Sequence, residues 1–142
     1  MQGLRLLIDK ANAVTERRAA ETSRFMKEQK IRKTLAPNEW EKFKAQIIQE
    51  CATHTESTEN RLASEPRGAN ELILKNLATN KTAKFVYSAD MPCVLFEGYD
   101  GGGHFAFRPS ADGMSVQWFD VKRNGPTSIN EIVFEVIAYL IH

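Results

Sequence analysis

The stretch KTAKFVYSADMPCVLFEGYDGGGHFAFRPSADGMSVQWFDV, Lys81–Val121, alternates apolar and polar residues in segments separated by turn chemistry. Period-two alternation marks strands with one buried face. Strands are predicted at Lys84–Ser88, Cys93–Gly98, Gly103–Arg108 and Met114–Val121. The connections Asp90-Met91-Pro92, Asp100-Gly101-Gly102 and Ser110-Ala111-Asp112-Gly113 make them a meander. Side chains alternate faces, so a one-residue slip would turn every apolar residue outward. Only even loops keep Phe105, Phe107, Val116 and Trp118 on one face. A two-residue Asp112-Gly113 loop sets Phe107 opposite Trp118, and a four-residue loop sets it opposite Val116. One hairpin back, the same parity pairs Phe96 with Phe105 and Val94 with Phe107. Phe85 and Tyr87 join that face through the connection Ser88–Cys93.

Outward from this sheet, Glu71-Leu72-Ile73-Leu74 reads as a further, first strand, giving five. Ser64-Glu65-Pro66-Arg67-Gly68-Ala69-Asn70 reads as a linker. Beyond Asn124-Gly125-Pro126, Ser128 and Glu131 have the spacing of a capping box. The helix they open, Ile129 to Ile141, is apolar nearly all round and needs deep burial. The aromatic face of the sheet is its expected partner.

Residues 3–33 carry no proline and, after Gly3, no glycine, and are rich in helix formers. Leu4, Ile8, Ala11, Ala19 and Met26 lie on a rough stripe that weakens after Val14. This predicts a long first helix, its first half better packed than its second. Thr34 to Pro37 is expected to end it, since proline restricts the residue before it. Asn38 and Glu41 offer a second capping box. Trp40, Phe43, Ile47, Cys51 and His54 then follow at helical spacing. Periodicity fades through Thr53–Glu59.

The expected architecture is α+β: an N-terminal two-helix arm and a five-stranded antiparallel meander sheet packed on a C-terminal helix, in the order α-α-β-β-β-β-β-α. It is read as one domain over 1–142, with a helical arm at 1–63, a linker at 64–70, and sheet plus helix at 71–142. The arm is expected to cover the second sheet face or a partner.

Net charge is +1, so no global field points to nucleic acid or a membrane. The charge is uneven: residues 1–35 hold nine Lys/Arg against four Asp/Glu. The basic side chains are scattered among acids with no aromatic interleaving, which disfavours nucleic-acid binding. No apolar run approaches the roughly 20 residues of a membrane span, and Leu4–Ile8 is too short for a signal peptide. A cytoplasmic location is expected. Cys51 and Cys93 make no disulfide framework and read as buried thiols.

Chemical signals are few. The register above sets Glu97 opposite His104 and Lys84 opposite Glu97, with Tyr99, Arg108 and Gln117 on the same face. A His–Glu pair could orient a general base, and Gly101-Gly102-Gly103 leaves backbone room for a ligand. Cross-strand charge pairs are also ordinary decoration of a solvent face. Glu97, Tyr99, His104, Arg108 and Gln117 are therefore ligand-binding candidates, and no catalytic residue is assigned. The glycine run lacks the Lys-Ser/Thr of a phosphate loop. His54, His104, His142 and the cysteines lack paired metal-ligand spacing, so neither a metal nor a cofactor is expected. The reading favours a non-catalytic interaction or scaffold module that self-associates, with a homo-oligomer or a protein partner. A small-molecule site or a weakly marked enzyme at Glu97/His104/Arg108 is the alternative. A nucleic-acid accessory role for the first helix comes third.

Overall fold

The computed structural model describes residues 2–57 and 61–142. A long helix α1 (Gln2–Ser57) leads into seven strands: β1 (Leu62–Arg67), β2 (Glu71–Asn76), β3 (Thr82–Ser88), β4 (Cys93–Glu97), β5 (Gly103–Pro109), β6 (Val116–Asp120) and β7 (Gly125–Pro126). Helix α2 (Ile129–Ile141) follows. The strands form a single antiparallel sheet in chain order. The fold is α+β.

The aromatic face predicted from the alternation is the buried one. Phe85, Val94, Phe107 and Trp118 are each at most 3% exposed. Their cover differs from expectation, because α1 and α2 pack together on this one face. The second half of α1 supplies Trp40, Phe43 and Ile47, all buried. Phe43 meets Phe85 edge-on at 4.8 Å between centroids and Trp118 at 5.6 Å, and Trp118 meets Phe107 at 4.7 Å. Aromatic contacts of this geometry add to plain area burial. Among the described residues, no helix lies across the opposite face, where Leu95 is 46% exposed.

The expected break at Thr34–Pro37 is a correction. α1 runs unbroken through Pro37, so the two-helix arm is one helix. Proline in a helix interior removes a hydrogen bond and costs about 3 kcal/mol or more. Pro37 is exposed, while Ala36 and Trp40, on either side of it, are buried. Burial of that stripe offsets the local cost, a case of tertiary packing overriding local preference. Asn38 therefore caps nothing. Glu41 pairs with Lys44 at 2.9 Å, and Glu39 accepts a hydrogen bond from the Trp118 indole at 3.1 Å. The packing gradient is also reversed. Residues 3–27 are exposed throughout, and burial begins only in the second half.

The predicted linker is a second correction. Leu62–Arg67 pairs with β2 from Leu62↔Asn76 to Arg67↔Glu71. β1 is an edge strand, where Pro66 needs no ladder partner on its outer side and where charge discourages further pairing. Its hairpin tip is held by α1: the Trp40 indole and the Lys44 ammonium both donate to the Ala69 carbonyl, at 2.8 and 2.9 Å. Where the periodicity fades, the chain is helical through Ser57; residues 58–60 lie outside the described residues.

Register agrees with the parity argument at every hairpin tested and with the pairing at two. Phe107 faces Trp118, and Phe85 faces Phe96. Between β4 and β5 the pairing is shifted by two residues: Val94 faces Phe105 and Leu95 faces His104. An even shift keeps the faces. The cause is the turn. Asp100 and Gly101 both have positive φ, and the Gly102 amide donates to the Tyr99 carbonyl at 2.9 Å. Glu97 and Gly98 then sit as extra residues on the β4 side. Gly102, at φ +90°, is held so close that a Cβ would lie 2.6 Å from the Phe96 carbonyl oxygen.

α2 begins as the sequence predicts, with the Ser128 hydroxyl accepting from the Glu131 amide at 3.2 Å. Its burial is one-sided, however. Ile132, Val133, Val136, Ile137 and Leu140 are buried, but Phe134 is 76% exposed. Its far end is tied to the sheet by Asn76, which is fully buried. The Asn76 amide donates to the Leu140 carbonyl at 2.7 Å, and its oxygen accepts from the Ala78 amide at 2.9 Å. Both polar ends are satisfied, as burial requires.

Candidate functional site

The open face of the sheet carries four of the five candidate residues, but they do not converge. The two-residue shift places Leu95, not Glu97, opposite His104. The expected Glu97–His104 pair is thereby displaced toward the turn. Lys84 does face Glu97 in the ladder, yet its ammonium pairs with Glu71 at 3.3 Å. Arg108 and Gln117 are directly opposite each other on β5 and β6. The Arg108 guanidinium sits over the Phe119 ring, 3.4 Å from its centroid. That cover explains why Phe119 is only 8% exposed on a face with no helix above it. His104 and Arg108 share a strand four residues apart, a spacing of about 13 Å.

Tyr99 is the fifth candidate and belongs to the other side. The shifted turn carries its ring onto the covered face, against Phe96 at 5.1 Å and Tyr139 at 4.8 Å. There it helps line a groove of about 290 Å³ with Gly102, Asp120, Arg123 and Glu135. Burial and the nearby Glu135 carboxylate, which opposes a second negative charge, push its phenol up to about 12. Within that lining Arg123 bridges to Glu135 at 2.5 Å, which holds the guanidinium charged.

A larger groove, about 350 Å³, lies between α1 and α2. Val133, Phe134, Ile137, Ala138 and Ile141 form an apolar wall. Gln46, Glu50 and His54 of α1 face it, with Asn130 and His142 at the ends. Gln46 donates to Asn130 across the two helices. His54 continues the Trp40–Cys51 stripe beyond the core and stands 3.9 Å from Glu50. The sequence signal for this groove was present in two separate pieces, the His54 end of one stripe and the excess apolar width of α2. Nothing local said that the two would lie side by side.

Neither cysteine is activated. Burial pushes the Cys51 thiol up to about 11, and burial raises Cys93 as well. Both stay thiols near neutral pH, and the thiol is the unreactive form. Among the described residues, no group of three or more His, Cys, Asp or Glu is arranged to hold a metal ion, and no helix is long and apolar enough to cross a membrane. Comparison of the chain with known protein families, curated proteins and solved structures finds no match.

Proposed function

We propose that the chain is a non-catalytic interaction module that associates with itself through the first half of α1. One observation carries this reading. From Gly3 to Lys27 every side chain is exposed, yet the stripe Leu4, Leu7, Ile8 and Val14 is apolar, at 62, 64, 52 and 45% exposure. Isolated helices in water are marginal, and most helix stability comes from packing an apolar face. Contiguous apolar surface of this kind marks an interaction site. Sequestering one such side chain fully contributes about 1.5–3 kcal/mol. Four on each of two copies are of the same order as the cost of association, about 4–15 kcal/mol.

Light scattering on the whole chain at micromolar concentration tests the reading. The expected mass is a multiple of 16.1 kDa. A variant carrying Leu7→Glu and Ile8→Glu should return the mass to that of one chain. A wild-type chain that stays monomeric as concentration rises would end the proposal.

A further inference from the structure

Resting on that reading, we infer where the arm binds: the first turns of α1 in one copy seat in the α1/α2 groove of another copy. Three observations lead there. The first is shape. The groove is an apolar trough beside two helices, and at about 350 Å³ it exceeds twice the ~150 Å³ apolar cavity that accepts a benzene ring. It has room for several aliphatic side chains. Leu4, Leu7, Ile8, Ala11 and Val14 recur at the spacing by which an amphipathic helix anchors in such a trough. Phe134 on its wall is 76% exposed on a helix that is otherwise well buried on its apolar stripe. Covering that ring is what a third helix would do.

The second observation is reach. The arm and the groove wall belong to one unbroken helix. At about 1.5 Å per residue, Ile8 lies about 60 Å along the axis from Glu50 of its own chain. The arm therefore cannot fold back onto its own groove, and a second copy must supply the occupant.

The third is charge. The arm's apolar stripe is flanked by Arg5 and Lys10, and Arg17 and Arg18 follow. The groove's α1 wall carries Glu50, and Glu39, eleven residues earlier and therefore on the same side of the helix, is held by Lys42 and the Trp118 indole. An arm lying antiparallel to the partner's α1 passes Glu50 with its first turns and reaches the level of Glu39 with Arg17 and Arg18. Opposite charges at the rim fix orientation and discourage wrong partners.

The contact joins two different surfaces, so it can be complemented. The arm variant carries Leu7→Glu with Ile8→Glu and keeps the groove. The groove variant carries Phe134→Lys and keeps the arm. All three positions are exposed, so each variant should fold, which circular dichroism and a thermal melt verify. Sedimentation velocity then reads association, with one variant fluorescently labelled. The expected result is that each variant alone associates at least tenfold more weakly than the unaltered chain, and that mixing the two recovers a complex. If the groove variant associates as well as the unaltered chain while the arm variant does not, the arm pairs elsewhere, for instance with another arm. That outcome overturns this inference and leaves the association reading standing. Failure of the mixture to recover a complex also overturns it. An unaltered chain that is monomeric throughout removes both.

Discussion

The two halves of α1 are one helix with opposite circumstances. From Ala36 to Cys51 the helix buries a stripe against the aromatic face of its own sheet, and Ala36, Phe43 and Ile47 are wholly inaccessible. From Gly3 to Lys27 every residue is exposed, the apolar ones included. The same secondary structure is thus held by tertiary packing in one half and by propagation from that anchored half in the other. Helix continuity alone says nothing about where stability resides.

The largest effect should come from the anchored side. Trp118→Ala removes a ring that is 3% exposed and packed against Phe43 and Phe107, and it also strips Glu39 of its indole donor. Denaturant melts should show a loss of about 3–5 kcal/mol. A near-neutral result would mean that the sheet is not held through this face. Pro37→Ala comes next and has the opposite sign. If α1 is continuous, alanine restores a helical hydrogen bond at an exposed position, and stability should rise by about 1–3 kcal/mol. A fall would indicate that proline ends the helix there.

The Tyr99 phenol gives a pH-dependent test at the far end of the covered face. Its folded value is about 12 against 10.0 for the free group. The folded state therefore holds the proton more tightly than the unfolded state does. Its contribution is complete below pH 10 and is lost as pH rises toward about 12. Spectrophotometric titration of the wild type against Tyr99→Phe should show one late-titrating tyrosine disappear. A titration at the ordinary value would place the ring in solvent. The smallest effect should come from the projecting half: Met26→Ala, at a side chain 66% exposed, should shift the melt of the chain below its association range by no more than about 0.5 kcal/mol.

What the sequence disclosed follows the physics of each signal. Strand faces were legible because alternation is a property of every strand residue, and Phe85, Tyr87, Phe96, Phe105, Phe107 and Trp118 all agreed on one face. The β4–β5 pairing was not, because the Tyr99–Gly102 turn and the two extra residues before it move the register by two and leave the hydrophobic pattern untouched. That shift separated Glu97 from His104, and the turn itself carries Tyr99 to the covered face. β1 was hidden by its own edge chemistry: of its residues only Leu62 is buried, and Pro66 with charged neighbours reads as a linker. Pro37 misled for the converse reason, since a strong local breaker was overridden by packing contributed from residues some 50 to 80 positions away. The groove between α1 and α2 needed both helices on one face, which no local pattern encodes.

Hydrogen exchange, resolved along α1 and repeated over a range of protein concentrations, probes the contrast between the halves most directly. Amides of residues 36–55 should exchange slowly at every concentration, since the chain's own sheet protects them. Amides of residues 4–27 should exchange quickly when dilute and become protected over the same concentrations at which the mass rises above 16.1 kDa. Protection of the first half that is independent of concentration, or fast exchange that persists in concentrated protein, would contradict the account.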